Sequence, residues 1–217
     1  MRRNERHPPT HLRCGQLVAR PLAFGVGAEA QAINACLQQV SEARKLGLDF
    51  PIALNLSATA FAERGLVEQL LGGLTLWDVA PRDLVLEVTE TAIVADVRRG
   101  AHQLRQLNAA GVRVSIDDFG VGNASVSYLK QFPATEMKID QSFVTGMLGD
   151  LRSLQIVKAM IGFAHQMGMR VVAEGVEDEA TLEALGDLNC NLAQGWAIGK
   201  PQPAAEFLAE LKDDAPR

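Results

Sequence analysis

Asp117 and Asp118 stand side by side at the end of the apolar run Val114-Ser-Ile116. Two carboxylates held that close repel each other unless cations neutralise them, so a divalent metal pair is the chemistry their adjacency suggests. Taken alone, the dipeptide serves equally as a turn or a helix cap. Glu87 and Glu90 lie in Leu84-Val-Leu-Glu-Val-Thr-Glu-Thr91. Strand alternation sets Glu87 on the same side as Val85 and Thr89, which predicts an inward-facing carboxylate in need of a metal or a cationic partner. Glu90 also suits the first turn of a helix, where the dipole favours an acid. Asn55 follows an apolar run, and its amide oxygen can serve a hard cation without adding charge, although a turn would use it as well. Lys138, between Met137 and Ile139, is either paired with a carboxylate or aimed at a nucleophile or phosphate, and the residues leave both open. The four histidines, His7, His11, His102 and His165, share no close ligand spacing beyond His7 and His11 in a proline-containing segment, and read as structural or exposed. A carboxylate-rich, histidine-poor set favours Mg²⁺ or Mn²⁺ over Zn²⁺. Two such ions can clamp a phosphodiester and activate water, which points to a metal-assisted phosphoryl or related hydrolase with its substrate open.

The elements that must position these residues alternate between β-rich runs and amphipathic helical stretches. Strands are predicted at Ile52–Leu56, Leu84–Val88, Arg113–Asp117, Glu136–Ile139, Arg170–Ala173 and Leu192–Trp196. Helical spacing of apolar residues predicts helices over Glu29–Leu46, Ala95–Ala110 and Ser153–Met167, the last from Leu154, Val157, Met160, Ile161 and Ala164. Gly47, Gly111 and Gly168 follow helices, where a residue tolerant of positive φ ends them cheaply. A βα repeat implies a parallel sheet covered by helices, doubly wound or closed into a barrel. Nearly every strand ends in a residue with coordinating or acid–base chemistry: Asn55, Glu87, Asp117 with Asp118, Asp140, Glu174 and Gln194. A barrel gathers its C-terminal strand ends on one face and so makes one site of them. A doubly wound sheet scatters them along an edge. Six predicted strands against a barrel's eight leave two strands' worth of sequence to be expected ahead of the chain.

At 217 residues with 47% hydrophobic and 22% charged residues, one globular domain spanning 1–217 is the expectation. A net charge of −5 argues against a partner of polymeric nucleic acid, which calls for clustered Lys and Arg. Cys14, Cys36 and Cys190 form no CxxC pair, so neither a disulfide framework nor a zinc site is indicated, and a reducing cytoplasm fits. No apolar stretch reaches membrane-spanning length, so no membrane insertion is expected. Residues 1–20 carry five arginines against Glu5, which suits a phosphate-binding arm or a targeting peptide but reads first as a solvated, poorly ordered terminus.

The string Asp117-Asp-Phe-Gly-Val-Gly122, with Ser127-Tyr-Leu-Lys130, Phe132-Pro133 and Lys138-Ile-Asp140 after it, resembles the EAL domain family, the bacterial phosphodiesterase module for cyclic di-GMP. Asn55-Leu-Ser57, Glu87-Val-Thr-Glu-Thr91, Val172-Ala-Glu-Gly-Val-Glu177, Gln194-Gly195 and Lys200-Pro201 follow the same pattern in the same order. The resemblance covers roughly residues 1–210. It implies a modified (βα)₈ TIM-like barrel of the EAL type that hydrolyses cyclic di-GMP to linear pGpG with two Mg²⁺ or Mn²⁺ ions per site. It further implies that Asn55, Glu87 and Asp117 hold one metal, and that Asp117, Asp118 and Glu174 hold the second. Lys138 would orient the attacking water, Glu177 and Gln194 would support solvent or substrate, and Glu90 would steady the loop after Asp118. A homodimer is the implied assembly. Val121 and Asn123 depart from the family's usual threonine and aromatic residue in that loop, and valine has no hydroxyl to donate.

Laid against the family pattern, Met1 falls just after the Glu-Ala-Leu motif, Arg2 matches the arginine that grips a substrate phosphate, and the motif's metal-binding glutamate precedes the chain. Two readings follow. In one, the protein is an ordinary phosphodiesterase. In the other, it is a catalytically impaired module that binds cyclic di-GMP or a protein partner, its open sheet edges covered by another chain.

Overall fold

The computed structural model describes residues 17–19, 28–45, 51–58, 65–89, 92, 97–121 and 129–200. Among them are seven strands: β1 (Leu17–Ala19), β2 (Ile52–Leu56), β3 (Leu84–Thr89), β4 (Arg113–Phe119), β5 (Glu136–Ile139), β6 (Arg170–Ala173) and β7 (Leu192–Ala193). The helices are α1 (Ala28–Lys45), α2 (Leu66–Leu76), α3 (Val97–Ala109), the single turn α4 (Gln141–Val144), α5 (Leu151–Gln166) and α6 (Glu179–Asp187). The expectation of six strands is therefore one short. β1 has only three residues, too few to show a period of two, and it lies inside the arginine-rich stretch 1–20. The rest of that stretch lies outside the described residues.

The chain forms two compact units. The first holds β1 to β3, α1 to α3 and the start of β4 as far as Ile116. Its strands pair in parallel and in chain order, Leu17 opposite Ile52 and Ile52 opposite Leu84. β2 and β3 are buried almost throughout, as continuous apolar runs in a covered parallel sheet should be. Leu54, Leu70, Leu84, Leu86, Leu104 and Leu107 fill this core.

The second unit holds β4 from Asp117 onward, then β5 to β7 with α4 to α6. β5 pairs with β6 and β6 with β7, again in parallel. Asp150 starts α5 by accepting the N–H groups of Arg152 and Ser153 at 3.0 and 3.1 Å, so the helix begins two residues before its expected start. The Ser153 hydroxyl, which donates to Asp150 Oδ2 at 2.7 Å, and with it these two N–H groups hold the Asp150 carboxyl below its ordinary range. Val157, Ile161 and Ala164 make its buried stripe, and Gly168 at φ 74° follows it. Asp178 caps α6 in the same way, accepting from the Thr181 N–H at 2.7 Å. At the start of β5 the wholly buried Glu136 accepts from Arg170 at 2.9 Å, a pairing that a charged strand residue needs and that the apolar pattern did not disclose. β7 stops at Ala193, short of the expected Trp196, because the chain turns at Gly195, whose carbonyl accepts the Ile198 N–H.

Among the described residues no helix is long and apolar enough to cross a membrane. Cys36 and Cys190 are buried and free of disulfides, and burial pushes their thiols up to about 12 and about 11. Little thiolate exists at pH 8, and thiolate is the reactive form. Iodoacetamide is therefore expected to leave both unmodified in the folded chain and to label both in urea, read by peptide mass spectrometry.

Candidate active site

The second unit gathers its chemistry where β4, β5, β6 and β7 end. Lys138 pairs in register with Val172 and Ile139 with Ala173, so Glu174 follows directly beyond β6. The Glu174 N–H donates to the Ile139 carbonyl at 3.1 Å, and the Gln194 N–H donates to the Ala173 carbonyl at 2.8 Å. The strand ends are thus locked side by side by main-chain bonds. Lys138 is 3% exposed between the fully buried Met137 and Ile139. Its Nζ lies 2.6 Å from Glu174 Oε1 and 3.0 Å from Asp117 Oδ1.

Asp117 is held by two donors, Lys138 and the main-chain N–H of Asp118 at 3.1 Å. Asp118 adopts a left-handed backbone with φ 55°, unusual for a residue bearing a Cβ. Strain of this kind, on the order of 1 kcal/mol, persists where the surroundings enforce it. Here Phe119 stacks on Phe163 with ring centroids 6.0 Å apart, and Gly120 packs against Met160 and Phe143. The chain is pinned just past the aspartates.

Ligand oxygens of Asp117, Asp118 and Glu174 all lie within 4.8 Å of one another. Burial pushes the Glu174 carboxyl above its ordinary range; Lys138 opposes that shift, and the carboxylates of Asp117 and Asp118 reinforce it. Among the described residues, Lys138 pairs with two of these three acids, and a cation would neutralise the charge they share. Hard oxygen donors in that number suit Mg²⁺ or Mn²⁺, so the residues present fit a divalent metal. Gln194 adds a buried Oε1 that has no hydrogen-bond partner among the described residues.

Two glycines make this packing possible, each directly after a site residue. A Cβ on Gly175 would sit 2.5 Å from Gln141 Cβ, and φ there is 69°. A Cβ on Gly195 would sit 2.2 Å from the Val176 carbonyl oxygen. Gly175→Ala is expected to destabilise the chain by about 1–3 kcal/mol, from overpacking and left-handed strain together. Urea denaturation measures it, and an unchanged midpoint would refute the close approach.

In the first unit, Asn55 and Glu87 are register partners on β2 and β3. Glu87 is fully buried, as are Leu84, Val85, Leu86 and Val88 on the two faces of β3, and Asn55 is half-buried. Glu177 lies exposed in the segment between Glu174 and the cap of α6. Asp140 has a structural job instead of a chemical one: its carboxylate caps α4 by accepting the Ser142 N–H at 2.9 Å. The two uses left open for Lys138 reduce, in this geometry, to a lysine paired with carboxylates that are themselves candidate ligands. Arg2, Glu90 and Asn123 lie outside the described residues. Val121, within them, is 61% exposed. Sequence reasoning missed the strain at Asp118 and the contacts of Gly175 and Gly195. The signal for the glycines was their position, since Glu174-Gly175 and Gln194-Gly195 each set a glycine after a polar strand-end residue.

Comparison with known proteins places this geometry. The EAL domain model matches residues 26–201. The bifunctional diguanylate cyclase/cyclic di-GMP phosphodiesterase MucR of Pseudomonas aeruginosa is 40% identical over 196 residues, covering 88% of this chain and 29% of that protein. The solved structure of the MucR phosphodiesterase in complex with c-di-GMP superposes with a TM-score of 0.78 at 39% identity, over 82% of this chain and 73% of that one. The EAL domain of Mycobacterium smegmatis DcpA gives 0.84 at 32% identity, over 91% and 89%. The chain spans less than a third of the length of the curated relatives it matches. The parallel βα architecture is accordingly that of the EAL-type, TIM-like barrel, and the chain belongs to the EAL domain family.

Proposed function

We propose that residues 1–217 form a single EAL-type domain that hydrolyses cyclic di-GMP to linear pGpG with two Mg²⁺ or Mn²⁺ ions. The observation that carries this reading is the convergence of Asp117, Asp118 and Glu174 within 4.8 Å, around a buried lysine, in a chain of this family. The names of similar proteins supply the substrate: MucR and the Shewanella oneidensis protein PdeB are both called cyclic di-GMP phosphodiesterases.

When bound, the cations supply charge neutralisation at the phosphoryl oxygens and acidify water. The chain's own residues do the rest. Asn55, Glu87, Asp117, Asp118 and Glu174 are the residues proposed to hold the cations. Lys138 directs an ammonium N–H toward the attacking water and holds the Asp117 and Glu174 carboxylates in place. Gln194 Oε1 accepts a hydrogen bond from substrate or from an ordered water, a role that its buried and unpartnered position supports. Glu177 supports the solvent network, Glu90 steadies the loop after Asp118, and Arg2 grips a substrate phosphate. The cytoplasm and a homodimeric assembly belong to the same proposal, and light scattering on the purified chain tests the dimer.

The deciding experiment incubates purified protein with cyclic di-GMP and Mg²⁺ or Mn²⁺ and follows pGpG by chromatography. Metal-dependent release of pGpG is the expected result. Binding in Ca²⁺ with no turnover in Mg²⁺ or Mn²⁺ would replace the enzyme with a receptor for the nucleotide. Absence of both would sink the substrate assignment.

A further inference from the structure

We propose that Lys138 sets the affinity of the site for divalent cations, by competing with them for the carboxylate oxygens of Asp117 and Glu174. The inference rests on the metal-dependent reading above and concerns how that site is loaded. The ammonium lies 2.6 Å from Glu174 Oε1 and 3.0 Å from Asp117 Oδ1. A hard cation needs those same oxygens at about 2.0–2.6 Å. An ammonium and a divalent ion that share one oxygen stand only about 5 Å apart and repel strongly in a site of low dielectric.

Lys138 has little room to withdraw. Its side chain is 4% exposed, and the residues on either side of it in β5, Met137 and Ile139, are fully buried. The main-chain bond from Glu174 to Ile139 fixes the acid against the strand that carries the lysine. Lysine and metal thus compete for the charge of one acidic cluster, the lysine staying in place and weakening the hold on the metal. Two consequences follow. The lysine holds the acids together when divalent cation is scarce, and it raises the concentration at which the site fills. A residue present only to orient water would have neither effect.

Isothermal titration of the full chain with Mn²⁺, paired with thermal melts, tests this in the unaltered protein, Lys138→Met, Lys138→Arg and Asp117→Asn. Lys138→Met is expected to bind Mn²⁺ at least about tenfold more tightly, because a repelling charge has gone. It is also expected to melt lower without cation and to gain more from cation than the unaltered chain does. Lys138→Arg keeps the charge and should bind no more tightly than the unaltered chain. If Lys138→Met is unfolded alone, Mn²⁺ should fold it below the concentration that half-saturates the unaltered chain, and failure to do so would overturn the proposal. Equal or weaker binding by Lys138→Met, with the unaltered chain binding and Asp117→Asn not, would overturn competition and leave the metal site standing. No Mn²⁺ binding by the unaltered chain would remove the metal reading and this inference together.

Discussion

Asp117→Asn is expected to lower hydrolysis of cyclic di-GMP by at least about 100-fold, since even the outer partners of metal ligands cost 10- to 100-fold when removed. The asparagine keeps the size and the acceptor for the Asp118 N–H, which comes to Asp117 Oδ1 at 3.1 Å. What it removes is the charge. That charge faces Lys138 at 3.0 Å and belongs to the cluster of acids within 4.8 Å. Asp117→Ala removes the oxygen as well and leaves the Lys138 ammonium with one partner fewer, so its loss of turnover would mix chemistry with folding. The asparagine variant separates them: lost turnover with preserved far-ultraviolet dichroism assigns the effect to the site. Near-normal turnover by Asp117→Asn would strip Asp117 of its proposed role.

The acidic end of this molecule was legible in the sequence because polar residues closing apolar runs are rare enough to notice. Glu174, far along the chain from the Asp117-Asp118 pair, does converge with it, and Glu87 is fully buried. β5, β6 and β7 run parallel in chain order, which sets their C-terminal ends side by side. Helix α5 was placed within two residues from its apolar spacing alone. The remainder depended on information that side-chain type does not carry. Asp140 looks like a candidate acid by position, but a carboxylate before a helix can be consumed by a cap, and only the 2.9 Å bond from Ser142 decides which. β1 is three residues long and has no periodicity to read. The partner of Glu136 is set by register with Arg170, thirty-four residues on, which no local pattern contains. The left-handed turn at Asp118 is invisible for a related reason: the residue type argues against it, and packing of Phe119 on Phe163 and of Gly120 on Met160 goes with it.

A second large effect is expected from the cations themselves. Adding Mg²⁺ or Mn²⁺ at about 100 times its dissociation constant should stabilise the folded chain by about 2.7 kcal/mol, because the ion binds folded chains and not unfolded ones. For a chain of this size that raises the melting temperature by about 5–10 °C. Chelation should reverse the gain and stop turnover together. The physical source is the negative charge these acids share: Glu174 is already pushed toward its neutral form by burial and by Asp117 and Asp118, so a bound cation removes a repulsion that folding otherwise has to bear. Asp118→Ala gives the control, since it deletes one acid of the cluster and also relieves none of the burial of Glu174. In that variant the melting temperature should rise by less with added cation, and the concentration needed should increase. A full-sized shift in Asp118→Ala would place the cation elsewhere on the protein; a melting temperature indifferent to millimolar Mn²⁺ in the unaltered chain would mean that the three acids, however close, do not form a metal site.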